Sequence, residues 1–317
     1  MSAKRIALLA SLPILLAGCT ITTVSSGTPA EEAPRFFEAA AYGEACGKWD
    51  DWDKPAPPVR VYGGTYLVGT CGITSVLVTS HEGHMLIDSG TERGAELVLA
   101  NLETVGVSPK HIYWMSHSHE HHDHVGGMAK LKAQTQARVI SGTAAEFLEL
   151  GTLSPDDPQF GMHGRYDAVD VDDLLVDGEQ VAVGDTVLTM YETPGHSPGA
   201  LTWTWEECEA SGCLTIVYAD SLSAVSRDGF AFTDNPQLLA AYRDSIDLIE
   251  QLDCDILLTP HPSASGMVSR MRTGNLVDAT ACATYAGELR DKLEVRIAEE
   301  TGEMLEERMM ETSVPTL

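Results

Sequence analysis

Basic side chains are scarce: 20 Lys and Arg stand against 47 Asp and Glu, a net charge of −27 at pH 7. The first eighteen residues hold Lys4 and Arg5 and no acid, so a chain cut there is more acidic still. An excess of that size repels polyphosphate backbones and argues against a nucleic-acid partner. Apolar runs are short as well, and the stretch Ile6 to Leu16 cannot span a bilayer. No Cys-x-x-Cys pair occurs, which removes the usual thiolate zinc sites. Nothing in the chain argues for an oligomer, so a monomer is the default. What remains is 317 residues of ordinary composition, enough for a full core in one large domain or two smaller ones.

Lys4 and Arg5 ahead of Ile6 to Leu16 read as an export signal covering residues 1–18. It ends Leu16-Ala17-Gly18-Cys19, which resembles a bacterial lipobox, so Cys19 is expected to become the lipidated first residue. The alternative is an ordinary cleaved signal. Thr20 is not the aspartate associated with inner-membrane retention, so a periplasmic protein anchored to the outer membrane is expected, touching membrane only through that lipid. Residues 19–34, small and polar, then form a tether. Six cysteines remain, an even number suited to an oxidising compartment, and fifteen pairings are open to them. Cys208 and Cys213 flank a short hairpin turn, and their closeness favours that pair.

Residues 35–45 have helical character, and from Val59 to Gly90 apolar and polar residues alternate between Gly-containing turns, the pattern of an antiparallel sheet. Ala95, Val98, Leu99 and Leu102 recur at helical spacing. An apolar strand over 112–115, a helix over 128–136, a strand over 137–140 and a helix from Thr143 follow, an alternation that requires a layered α/β fold. Periodicity fails from Thr152 to Asp173, a Pro-, Gly- and Asp-rich loop of the kind that forms lids, with Gln159 and Phe160 placed to meet a substrate. Sheet resumes from Gln180, followed by a helix over 236–252, a strand over 255–259 and a last helix over 280–300. Residues 306–317 read as a fraying tail.

The chain is organised around residues 117–124, HSHEHHDH, with five histidines and an aspartate in eight positions. If the strand before it continues, alternation sends His119 and His121 to one side, while the turn beyond carries Asp123 and His124. Imidazole and carboxylate without thiolate suit zinc in an open, hydrolytic site. Two further histidines sit at turns after strands: His196 in Thr-Pro-Gly-His-Ser-Pro-Gly and His261 in Thr-Pro-His-Pro.

His119-x-His121-x-Asp123-His124 after a strand resembles the metallo-β-lactamase superfamily, and SHEHHDHVGG is most similar to its subclass B3, from about residue 40 to 300. The resemblance implies a four-layer αββα sandwich over residues 35–305 with the metal site between the two sheet edges. It implies two zinc ions, the first held by His119, His121 and His196 and the second by Asp123, His124 and His261. It leaves His117 and His122 outside the ligand set and makes Asp88 a buttress of the histidine loop. The implied reaction is hydrolysis of the β-lactam ring of penicillins, cephalosporins and carbapenems, with water activated between the zincs and oriented by Asp123. Ser221 and Ser223, in Ala219 to Ser223, match serines that face the substrate carboxylate, and Gln159 lies in a loop similar to that of disulfide-rich members. The same resemblance pairs Cys254 with Cys282 and Cys46 with Cys71.

Glyoxalase-type thioesterases, homoserine lactonases and phosphodiesterases share this ligand spacing. They commonly bridge their metals with an aspartate from the second half, for which Asp220 is the candidate. A zinc-binding lipoprotein without turnover is the remaining, non-enzymatic alternative.

Overall fold

Val76, Val78, Met85 and Ile87 lie in one hydrophobic cluster, while Leu77 and Leu86, between them in sequence, lie in another; all six are buried. That is the two-residue period of strands covered on both faces, and it sets the architecture of the computed structural model, which describes residues 36–47 and 51–302. The expected signal segment, Cys19, the tether and the tail at 306–317 lie outside the described residues.

The chain opens with α1 (Ala39–Ala45) and the strands β1 (Val59–Tyr62), β2 (Thr65–Leu67), β3 (Val76–Val78) and β4 (His84–Ile87). Then come α2 (Gly94–Thr104), β5 (Ile112–Ser116), α3 (His122–Val125), α4 (Met128–Gln134), β6 (Arg138–Ser141), α5 (Ala145–Leu150) and β7 (Asp173–Leu174). These seven strands form one sheet in sequence order, antiparallel from β1 to β4 and parallel from β4 to β7. The second half has β8 (Gln180–Val183), β9 (Thr186–Glu192), β10 (Leu201–Glu209), β11 (Gly212–Tyr218), α6 (Pro236–Gln251), β12 (Ile256–Leu258), α7 (Met267–Arg272) and α8 (Ala281–Thr301). Its sheet runs β12-β11-β10-β9-β8, with β12 parallel to β11 and the rest antiparallel.

Leu188, Met190, Leu201, Trp203, Ile216 and Tyr218 of the second sheet share a core with Val76 and Met85 of the first, so the sheets pack face to face. On the outer side of the first sheet, Leu77 and Leu86 meet Val98 and Leu102 of α2 and Leu131 of α4. On the outer side of the second, Val217 and Leu257 meet Ile246 and Ile249 of α6 and Tyr285 and Leu289 of α8. The order helix, sheet, sheet, helix is the expected αββα sandwich, each buried Leu or Ile contributing about 1.5–3 kcal/mol.

Three disulfides join Cys46 to Cys71, Cys208 to Cys213 and Cys254 to Cys282, the expected set. Two expectations need correction. β5 ends at Ser116, so His119 and His121 stand on a loop and not on the strand, and Asp123 and His124 lie in the short helix α3. The helix α7 went unforeseen, although Met267, Val268 and Met271 pack at helical spacing.

Candidate metal centre

The loop 117–121 has no ladder partners to shape it, and Asp88 at the end of β4 does so instead. Its backbone takes φ +65°, a left-handed conformation that costs a residue other than glycine energy and persists only when its surroundings enforce it. The carboxylate accepts from the Ser118 amide (2.5 Å), the Ser118 hydroxyl (2.7 Å), the Tyr218 hydroxyl (2.6 Å) and Nδ1 of His124 (3.0 Å). The expected buttress is therefore in place.

Five imidazoles converge beyond it, each with one nitrogen held from behind. Nδ1 of His119 donates to Asp220 (2.8 Å), Nε2 of His121 to Asp157 (3.1 Å) and Nδ1 of His124 to Asp88. Nδ1 of His196 lies 2.9 Å from the Ser223 carbonyl and Nδ1 of His261 3.2 Å from the Gly72 carbonyl. Such partners fix ring orientation and turn the opposite nitrogen toward a ligand position. The candidate ligand atoms do meet: one from each of His119, His121 and His196 fits within 4.8 Å, as does one from each of His119, Asp123 and His124. Nε2 of His124 lies 3.2 Å from Nε2 of His261, and Oδ2 of Asp123 is 3.3 Å from the first and 3.4 Å from the second.

The electrostatics suit a cation. Burial alone would raise the Asp123 carboxyl, but His124, His261 and His121 outweigh it and hold it far below the usual carboxylate range. Burial would lower His124, yet Asp123 and Asp88 push it up to about 10, the mark of a position that favours positive charge. Burial and the neighbouring imidazoles keep His119 and His196 well below the ordinary histidine value, hence neutral and able to ligate. Nε2 of His119 is buried without a hydrogen-bond partner in the structure. An orphaned buried nitrogen costs about 1–3 kcal/mol, and a metal ion would satisfy it.

Residues 68–261 match the model of the metallo-beta-lactamase superfamily. The chain belongs to the metallo-β-lactamase superfamily. Solved members resemble it over most of its length. The chain is 45% identical to the metallo-β-lactamase MIM-1 from Novosphingobium pentaromativorans, with TM-score 0.80 over 83% of this chain and 99% of that one. MIM-2 is 46% identical, with TM-score 0.79 over 83% and 98%. MEM-A1, a subclass B3 metallo-β-lactamase from a soil metagenome library, is 33% identical, with TM-score 0.76 over 80% and 100%. Matches to curated proteins are shorter. Hydroxyacylglutathione hydrolase of Rhodospirillum rubrum is 31% identical over 125 residues, 39% of this chain and 40% of that protein, and the enzyme of Anaeromyxobacter dehalogenans is 31% identical over 123 residues. The chain thus spans well under half the length of these curated relatives.

The six residues singled out as ligands lie together, and the others take definite places around them. His117 is buried against the Ser141 hydroxyl (2.8 Å), while His122 packs against the rings of Trp52 and His163. Gln159 is buried, its amide 3.3 Å from Nε2 of His196, whereas Phe160 is largely exposed. The Ser223 hydroxyl lies 3.0 Å from Nδ1 of His196, and the Ser221 hydroxyl is buried without a hydrogen-bond partner. Asp220 is buried behind His119, facing its Nδ1. Sequence reasoning missed Asp157, two positions before Gln159 in the loop it had marked, and it missed Trp52, whose ring also meets that of His261. A cavity of about 570 Å³, lined by Trp52, Arg93, His122, Lys130, Arg165 and Tyr166 among others, opens beside α3.

Proposed function

We propose that this chain hydrolyses the β-lactam ring with two zinc ions, one held by His119, His121 and His196 and the other by Asp123, His124 and His261. The observation that carries the two-metal reading is the convergence of these side chains with their outer nitrogens already engaged. Zinc held there would lower the pKa of water toward neutrality and polarise the lactam carbonyl. Asp123, ionised and wedged between His124 and His261, is the group that orients the attacking water. The Gln159 amide, beside His196, is placed to donate to the substrate, and the buried Ser221 hydroxyl has its bond to give. Ser223, with its hydroxyl on His196, serves the ligand before the substrate. Penicillins, cephalosporins and carbapenems are the substrate class, handled by a monomer.

The curated relatives favour a second reading, a thioesterase acting on hydroxyacylglutathione. Asp220 speaks against it: an aspartate bridging two metals cannot also face Nδ1 of His119 from behind, where this one sits. Long matches to β-lactamases at up to 46% identity weigh the same way. A chromogenic cephalosporin assayed beside a glutathione thioester and a homoserine lactone, each with and without chelator, decides between them. Faster turnover of the thioester or the lactone would reject the lactamase reading.

The reading extends to location, with export and acylation of Cys19. Incorporation of labelled palmitate, lost in Cys19→Ser, is the expected result; incorporation that survives the substitution would exclude it.

A further inference from the structure

Glu120 stands between the first two proposed ligands, yet the metal does not account for it. Its side chain is fully buried, and a buried carboxylate is costly unless hydrogen-bonded. Among the described residues no Lys or Arg forms an ion pair with it. Both oxygens instead reach the other half of the chain. Oε2 accepts from the Ser197 hydroxyl at 2.6 Å and Oε1 from the Gly199 amide at 3.1 Å. Ser197 directly follows His196. A Cβ on Gly199 would come within 2.9 Å of Oε2 of Glu120 and 2.3 Å of the Ala144 Cβ, so only glycine lets the turn approach this closely.

We infer that Glu120 is a positioning residue that clasps the His196 turn to the His119–His121 loop, fixing across the two halves the triangle of imidazoles that would hold the first metal. This rests on the metal reading proposed above. Metal sites tolerate errors of only about 0.2 Å in ligand distance, and both segments here are loops with no ladder of their own to supply such precision. Neighbouring contacts, Leu201 amide to Ser118 carbonyl (2.5 Å) and Trp203 Nε1 to His117 carbonyl (3.2 Å), tie the first loop to β10, while the Ser223 carbonyl on His196 (2.9 Å) and the Ser245 hydroxyl on the Pro194 carbonyl (2.8 Å) hold the turn within the second half, so the bonds of Glu120 are the ones that join turn to loop. Two hydrogen bonds from one side chain fix the turn against the loop.

The test uses the full chain stripped of metal and titrated with Co²⁺ alone, read by its d–d absorption, together with zinc competition against a chromogenic chelator. Wild type should take up two equivalents. Glu120→Gln should weaken one of them by about 10- to 100-fold and change its cobalt spectrum. Ser197→Ala, which removes one of the two bonds, should lose less, and the double variant should be no worse than Glu120→Gln, because the two residues act through one contact. The urea midpoint of the metal-free protein should hold. Wild-type affinity and spectrum in Glu120→Gln, or a loss that appears only with a collapsed urea midpoint, would overturn the clasp. If Glu120→Gln does not fold, Ser197→Ala carries the same comparison. A wild-type chain that takes up no cobalt would overturn the two-metal reading itself.

Discussion

Oδ1 of Asp220 lies 2.8 Å from Nδ1 of His119, both side chains wholly buried. The contact decides which face of the ring is free: Nε2 is left toward the other imidazoles, and the aspartate is removed from the list of bridging groups. Burial pushes the Asp220 carboxyl up to about 7, against the pull of the Leu222 and Ser221 amides, and its orienting role rests on the contact with His119.

In the proposed reaction Asp123 orients the attacking water. Asp123→Ala should leave the fold intact and lower hydrolysis of a chromogenic cephalosporin by more than about 100-fold, since even outer partners of metal ligands typically cost 10- to 100-fold. Turnover within a few-fold of wild type would remove it from the reaction.

Metal removal should silence the protein reversibly. Dialysis against chelator should abolish hydrolysis and zinc should restore it, while mild acid should mimic the chelator because imidazole binds metal only when neutral. Full activity in a sample shown to be metal-free by elemental analysis would contradict the site.

Asp88 joins backbone shape to metal geometry through its four hydrogen bonds. Asp88→Ala leaves those donors buried and unpaired, and removing one partner of such a pair costs about 3–5 kcal/mol. Chemical denaturation should show a loss of that order, together with weaker metal binding. A change below about 1 kcal/mol would mean that Ser118 and His124 are held by other contacts.

The bridge between Cys254 and Cys282 closes a separation of 28 residues and ties the end of α6 to the start of α8. Loop-closure entropy makes it worth about 3–4 kcal/mol. Cys254→Ser with Cys282→Ser should lower the denaturation midpoint accordingly while cephalosporin hydrolysis at 25 °C survives. An unchanged midpoint would show that the packing of α6 against α8 suffices.

Far from the metal site, Glu300 accepts from the Phe232 and Thr233 amides and from Arg296. Burial alone would raise its carboxyl, but the Thr233 amide and the Arg296 guanidinium outweigh it and hold it below the usual range. A lowered folded pKa means stabilisation that is present above the unfolded value, about 4.3, and is lost as pH falls through the folded one. Glu300→Ala should therefore cost about 1–3 kcal/mol at pH 7, with the gap narrowing below pH 4. An equal gap at both pH values would mean that the charge contributes nothing.

By itself the sequence determined the alternation of strands and helices, α7 excepted, and the four candidate ligands within residues 117–124, while His196 and His261 joined them through resemblance. Period-two burial and a dense histidine motif are local patterns, readable wherever a strand is covered on both faces or metal ligands crowd into eight positions. The pairs Cys254–Cys282 and Cys46–Cys71 and the buttress role of Asp88 were legible only through resemblance, whereas Cys208–Cys213 followed from closeness in the chain. Tertiary structure alone decided where β5 stops, that Asp157 and Gln159 of the irregular loop turn inward, that Asp220 stands behind His119, and that Glu120 reaches Ser197 across 77 positions. These are pairings between residues far apart in the chain. A buried carboxylate finds its donor in whatever segment folding brings to it, and no local period records that choice.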